Sequence, residues 1–198
     1  MKKTIKYILI ISFMISISSI AQADAPQWKI DPAHAGVYFS INHIFSKVKG
    51  YFQDFEGQIF FDPDNLGESR AVFRVKVYSI NTNNTKRDGH LQSDDFFNAK
   101  RYPEMRFESS SITHVNGTQY LVNGTMTLKD VSRKIKLPFT FFGTKPNPFD
   151  PKQEVAGFEA KMTIDRLDYN VGNGKFLEMG VVGKDVDILI TIEATKKK

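Results

Sequence analysis

The chain has 198 residues, no cysteine and a formal net charge of +5. Without cysteine, disulfide bonds and thiolate chemistry are excluded, so the fold must be held together by its hydrophobic core. Three of the positive charges lie within the first six residues, which leaves a net of +2, and the basic residues elsewhere alternate with acids; a nucleic-acid-binding surface is therefore not expected.

The first 23 residues have the pattern of a secretory signal peptide. A lysine-rich start precedes the apolar run 7–20, and Ala21-Gln22-Ala23 is a small-x-small cleavage site. The run is shorter than the ~20 apolar residues that a membrane span needs, although an uncleaved anchor is the alternative. We predict a periplasmic protein with a signal peptide at 1–23, one domain at 24–198 and no stable membrane anchor. Transient membrane contact and a homodimer both stay open.

Most of the remaining chain alternates between apolar and polar residues, which predicts strands with one dry and one wet face. Seven such segments begin near residues 37, 71, 105, 120, 135, 158 and 186. An eighth, at 50–61, breaks strict alternation, which indicates a bulge or a strand bent across a barrel corner. Eight antiparallel strands can form a two-sheet sandwich or a closed barrel, and a closed eight-stranded barrel can hold one slender ligand.

The inward-facing set is rich in phenylalanine and methionine, and the chain contains 17 phenylalanines. Methionine is flexible and often lines cavities that adapt to a ligand. The alternative is that the same residues simply fill a solid core. Composition alone favours a solid interior over a hollow one.

Residues 79–107 interrupt the strand pattern and carry a concentration of charge. A short helix capped near Asp88 is expected, and Pro103 prevents a helix from continuing beyond Tyr102. Phe96 and Phe97 follow directly after two aspartates and are expected to form a lid, with their rings inward. The alternative is a solvated corner in which Arg87 and Asp88 pair with each other.

The four histidines do not indicate a metal site, and no nucleophile-elbow motif or phosphate-binding glycine loop is present. We therefore predict no metal, no catalytic residues and no cofactor. A lipid-modifying enzyme that uses His90 with Asp88 remains a less favoured alternative.

Several motifs together resemble a known family. They are Trp28-Lys29-Ile30-Asp31, Val37-x-Phe39-x-Ile41-x-His43, Gly50-x-Phe52, Arg87-Asp88-x-His90-Leu91, Asp95-Phe96-Phe97, Tyr102-Pro103, Gly124-x-Met126-Thr127-Leu128 and Met162-Thr163-Ile164-Asp165-Arg166-x-Asp168-Tyr169. In order and spacing the chain resembles the YceI-like family of lipocalin-like, polyisoprenoid-binding bacterial periplasmic proteins. The resemblance implies an all-β fold, an extended eight-stranded antiparallel lipocalin-like barrel with a short helical insertion. It also implies a long isoprenoid ligand, of quinone or polyprenyl type, inside the barrel.

The predicted function is therefore a non-enzymatic periplasmic carrier of a long-chain isoprenoid lipid. The residues predicted to line the tail site are Phe39, Phe52, Phe73, Met126, Phe139 and Met162. Arg87 and His90 are predicted to donate to the head group, with Asp88 orienting them, and Phe96 and Phe97 to cover the site. The main alternative is a stress-related periplasmic interaction protein with a solid barrel and no small-molecule ligand.

Overall fold

The structure is a computed structural model that describes residues 24–198. The predicted signal peptide lies outside the described residues. Within them, strands account for most of the chain. The strands are β1 Gln27–Ile30, β2 Gly36–His43, β3 Ser46–Phe52, β4 Phe55–Phe60, β5 Arg70–Lys76, β6 Ile80–Asn81, β7 Glu104–Asn116, β8 Gln119–Leu128, β9 Val131–Pro146, β10 Gln153–Asp165 and β11 Val182–Lys197.

These strands occupy eight positions around one closed antiparallel barrel. Three positions are each shared by two consecutive strands, namely β1 with β2, β3 with β4, and β5 with β6. The pairings show this sharing: β2 pairs with β3, and β1, which continues the position of β2, pairs with β4, which continues the position of β3. The strand β11 closes the barrel. It pairs with β10 along one side, and on the other side with β2 and then with β1, where Lys29 lies opposite Thr195. The predicted eight-stranded antiparallel barrel is confirmed.

The predicted bend in the strand at 50–61 is also observed. Gln53 and Asp54 separate β3 from β4, and their backbone groups bond outside the ladder. Gln53 N–H donates to Ser79 O at 3.1 Å, and Asp54 O accepts from Lys76 N–H at 2.9 Å. The break in alternation therefore marks the corner where one strand position turns from one neighbour to the next.

Two short α-helices are present in the described part of the chain, α1 at Thr85–Gln92 and α2 at Lys175–Glu178. The helix predicted in the charged segment is α1, but its cap differs from the prediction. Asn84 is the N-cap, and its side chain accepts from Arg87 N–H at 3.0 Å. Asp88 lies within the first turn instead, where a carboxylate is favoured by the helix dipole. Among the described residues, no helix has the length and apolar character needed to cross a membrane.

The up-and-down strand order places the connections at two ends of the barrel. We call the end that carries α1 and α2 the helical end; it contains the turns at 44–45 and 129–130 and the segments 82–103 and 166–181. The opposite, far end contains the connections at 61–69, 117–118 and 147–152. Buried apolar residues form two clusters, one centred on Phe61 toward the far end and one that contains Phe96 and Tyr169 at the helical end.

Candidate functional site

The barrel encloses a cavity of about 660 Å³, a size in the range of about 300–1,000 Å³ that ligand pockets occupy. Its wall is almost entirely apolar and receives side chains from every strand position. All six residues predicted to line a tail site lie on this wall, namely Phe39, Phe52, Phe73, Met126, Phe139 and Met162. The barrel is therefore hollow, and the solid interior that composition alone favours is wrong.

Glycines on neighbouring strands explain how so many phenylalanines leave a cavity between them. Gly57 lies opposite Phe73, and a Cβ added to it would stand 2.5 Å from the ring. Gly50 lies opposite Phe39 and would meet that ring at 2.5 Å in the same way. Because only glycine leaves this space, each ring lies against the strand beside it instead of filling the lumen.

Aromatic packing closes the far end of the cavity. The Phe61 ring makes edge-to-face contacts with Tyr120, Phe141 and Phe158 at centroid distances of 5.0 to 5.6 Å. Trp28 Nε1 donates to Phe61 O at 2.9 Å, which satisfies its indole N–H inside the core. A tail in the cavity would therefore end against this cluster.

At the helical end, three phenylalanines lie across the cavity. Phe97 meets Phe52 of β3 edge to face at 6.2 Å, and Phe96 stacks on Phe176 of α2 at 5.6 Å. The cation of Lys129 holds this arrangement in place, since its Nζ donates to Phe96 O at 2.9 Å and to Asn170 O at 2.5 Å. Partial burial lowers the pKa of Lys129. The rings of Phe96 and Phe97 thus lie inward, as predicted for a lid.

Arg87 lies on the cavity wall, and its guanidinium is fixed by one threonine. Nε donates to Thr82 Oγ1 and Nη2 donates to Thr82 O, both at 2.7 Å. Asp88 accepts from Thr82 N–H at 2.9 Å and from the Thr82 hydroxyl at 2.5 Å. Asp88 therefore orients Arg87 through the buried Thr82, and not by direct contact.

His90 also lies on the cavity wall, but Asp88 does not orient it. Its Nε2 instead lies 3.0 Å from Asp95 Oδ2, and its ring meets Phe96 edge to face at 5.1 Å. The predicted orienting role of Asp88 toward His90 is wrong, because α1 starts four residues earlier than expected and directs Asp88 toward Thr82.

Arg166 was not among the predicted site residues, and it lies on the cavity wall at the helical end. It is 4% exposed and carries a terminal nitrogen that has no hydrogen-bond partner among residues 24–198. Its sequence signal is weak: it stands two positions after Ile164, which lies on the cavity wall, but it comes just after the strand ends at Asp165 and resembles many surface arginines. Phe176 was missed for a different reason, since α2 is a single turn without a sequence pattern.

One group of side chains in the described residues could hold a metal ion, although none was predicted. Asp31, His34 and Glu193 bring ligand atoms within 4.8 Å of one another at the start of β2. His34 Nδ1 lies 2.8 Å from Asp31 Oδ2, and this pairing raises the pKa of His34 and lowers the pKa of Asp31. Exposed groups of this kind are common in proteins that bind no metal.

Known proteins share both the sequence pattern and the fold. The model of the YceI-like domain matches residues 28–194. This chain belongs to the YceI-like family. Protein YceI of Escherichia coli O6:H1 is 33% identical over 201 residues, which covers the whole of both chains. The family resemblance predicted from the motifs is therefore confirmed.

Two solved structures have a similar fold. BcnA of Burkholderia cenocepacia is 25% identical, with a TM-score of 0.77, and the match covers 84% of this chain and 99% of BcnA. A domain of Saccharophagus degradans, described as polyisoprenoid binding and implicated in plant cell wall breakdown, has a TM-score of 0.61 at 14% identity. That match covers 88% of this chain and 100% of the domain, and at this identity it shows the fold alone.

Proposed function

We propose that this protein is a non-enzymatic carrier of a long-chain isoprenoid lipid, of polyprenyl or quinone type, whose tail lies in the barrel cavity. The observation that carries the proposal is the cavity itself, a long apolar space that is blocked at the far end and bordered by polar side chains at the helical end. The fold shared with the polyisoprenoid-binding domain of S. degradans supports it.

The energetics favour a tail as the main source of affinity. Burial of each CH₂ group contributes about 0.8 kcal/mol, so several isoprene units offer a large gross gain. The costs of ordering the ligand and the practical ceiling on affinity reduce what is realised. Polar residues at the helical end would then select the head group and fix the direction of the lipid.

The signal-peptide pattern at 1–23 supports a periplasmic location, where such a carrier would exchange lipid with a membrane. A candidate contact for that exchange is the β2–β3 turn at the helical end. Phe45 at its tip is fully exposed, and Ile44 beside it is more than half exposed with a positive φ of 49°. An apolar tip next to the cavity entrance suits transient insertion into a lipid surface.

Lipid extraction and mass spectrometry of the protein purified from its native host test the proposal. We expect an isoprenoid lipid in near-stoichiometric amount. Protein that repeatedly carries no lipid, and that shows no saturable uptake of a fluorescent fatty acid, would instead favour the interaction-protein alternative. An enzyme would show turnover of the bound lipid that is lost in His90→Gln.

A further inference from the structure

Arg166 is held at the helical end by backbone carbonyls. Its Nε donates to Gly183 O at 2.9 Å, and its Nη1 donates to Val171 O at 2.6 Å. The loop at 170–174 packs closely against the Arg166 side chain, since a Cβ added to Gly172 would stand 2.3 Å from Nη1. The guanidinium carbon lies 5.8 Å from the centroid of the Phe96 ring. The position of the guanidinium is therefore fixed on three sides.

The remaining nitrogen, Nη2, is buried and makes no hydrogen bond to any residue in 24–198. No carboxylate in that range forms an ion pair with Arg166; its neighbour Asp165 pairs with Lys184 at 2.9 Å instead. Burial lowers the pKa of Arg166, but a guanidinium stays protonated at any physiological pH. The protein thus keeps a buried positive charge with a free donor and no direct ion pair in that range, and the Asp165 carboxylate acts on it only at longer range.

A buried charge without a partner is strongly unfavourable, and native proteins rarely retain one without a reason. We propose that Arg166 is the head-group-binding residue of the cavity, an inference that rests on the proposed carrier function. Arg166 would select amphiphiles whose polar end is an anion, either a phosphate or a carboxylate. The anion would accept from Nη2 and supply a directly bonded counter-charge. Arg87 would then have a supporting role, because its Nε and Nη2 are already engaged with Thr82.

The other charged residues on the cavity wall point to the same sign of ligand. In the described part of the chain, one acid lies on the wall, Glu159, and it pairs with Lys161 at 2.6 Å. The cations on the wall are Lys86, Arg87, Arg106 and Arg166, of which Arg106 pairs with Glu104 at 3.0 Å. An excess of positive charge around an apolar space attracts an anionic amphiphile more than a neutral alcohol or a quinone.

Access to Nη2 requires a ring to move. Phe96 lies over the guanidinium and stacks on Phe176, which belongs to the single-turn helix α2. Met179, at the end of this helix, is largely exposed, and α2 itself buries no residue fully. Displacement of Phe176 with α2 would therefore uncover Arg166 at small cost and admit a head group from the helical end.

The test is the affinity of the delipidated protein for two ligands with the same tail, farnesyl monophosphate and farnesol. We expect the phosphate to bind at least about tenfold more tightly, the size of effect that a charge-assisted hydrogen bond provides. Arg166→Gln should remove this preference and leave the affinity for farnesol within about threefold. Arg74→Gln, a surface arginine of β5 that pairs with Glu56, should change neither affinity.

Each other outcome has a distinct meaning. Equal affinity of the wild-type protein for the two ligands would overturn the role of Arg166 and leave the carrier function standing. Saturable binding of neither would overturn both. Inorganic phosphate alone should not raise the melting temperature; an equal rise with phosphate would assign the site to a free anion and contradict the proposal. If Arg166→Gln does not fold, the ¹⁵N signal of Arg166 Nε in the wild type decides, since it should shift with farnesyl monophosphate and not with farnesol.

Discussion

Phe96 and Phe176 stack face to face at the helical end, with centroids 5.6 Å apart and ring planes 10° from parallel. This contact joins the segment after α1 to the helix α2, and an aromatic pair of this kind stabilises by about 0.5–1.5 kcal/mol. Removal of one ring should therefore loosen the cover of the cavity without unfolding the barrel.

We expect Phe176→Ala to lower the free energy of unfolding by about 1 kcal/mol and to accelerate release of a bound fluorescent fatty acid severalfold. Stopped-flow displacement measures the release rate. Phe149→Ala is the matched control, because Phe149 is fully exposed in the loop at the far end. Equal release rates for both variants would show that ligand does not leave past the stacked rings.

A charge placed on the cavity wall should abolish uptake of a tail. Phe73→Arg puts a guanidinium where the wall is apolar, and an unpaired charge in such a place costs several kcal/mol. Lys134→Ala changes an exposed side chain of β9 and should leave uptake as it is. Fluorescent fatty acid titration compares them, and similar binding by both would contradict the assignment of Phe73 to the ligand.

A single methyl group should shrink the cavity. In Gly57→Ala the new Cβ would meet the Phe73 ring at 2.5 Å, so the ring must swing into the lumen. We expect a loss of about 1–3 kcal/mol in stability and weaker binding of long tails than of short ones. In Gly67→Ala the nearest atom to the new Cβ, Asn65 Oδ1, would lie at an ordinary contact distance of 3.9 Å, so this variant serves as the control. Unchanged selectivity for tail length in Gly57→Ala would show that Phe73 does not set the length of the space.

The Asp31–His34 pair should give a pH-dependent contribution to stability. The hydrogen bond raises the pKa of His34 from 6.5, so its stabilisation is complete below pH 6.5 and is lost as pH rises through the folded-state pKa. The pKa of Asp31 is lowered from 3.8, so its contribution is present above pH 3.8 and is lost as pH falls through the folded-state pKa.

The pair therefore stabilises the fold most between these two values. We expect NMR titration of the His34 ring protons to give a pKa above 6.5, and Asp31→Asn to return it toward that value. The effect on overall stability should be small, because His34 is exposed to solvent and Asp31 is partly exposed. A titration of His34 that is identical in Asp31→Asn would show that another group shifts it.

Exchange of lipid with a membrane should depend on the tip of the β2–β3 turn. Phe45→Ser removes a fully exposed ring, so transfer of a fluorescent lipid from anionic vesicles should slow severalfold while equilibrium affinity in detergent stays unchanged. Phe149→Ser at the far end is the control. Equal transfer rates for the two variants would place membrane contact elsewhere.

Alternation along the chain was sufficient to predict the longer strands and the bend between β3 and β4, because a one-sided sheet imposes period two on its residues. The short strands β1 and β6 were not predicted, since four and two residues are too few to show a period. Whether the barrel is hollow could not be predicted in this way. The direction in which Phe73 leans depends on Gly57, which lies opposite it only once the register of β4 and β5 is known. Local sequence does not contain that register.

The site residues were likewise predicted from the sequence only in part. Arg87, His90, Phe96 and Phe97 were predicted because one charged segment contains them all, and the structure places them on the cavity wall. Arg166 was missed because its importance arises from burial beneath residues of a different segment, with a bonding partner 17 positions away at Gly183. A donor that lacks a partner becomes visible only in three dimensions.

The seam made by β11 has a consequence for folding kinetics. Its pairing with β1 places Ile30 opposite Ala194, so the barrel can close only after segments far apart in the chain have come into contact. Such distant pairings slow the search for the native topology, and until they form, the margins of the incomplete sheet are open templates for other chains. Newly made protein should accordingly be most prone to aggregate in the interval before β1 and β11 pair.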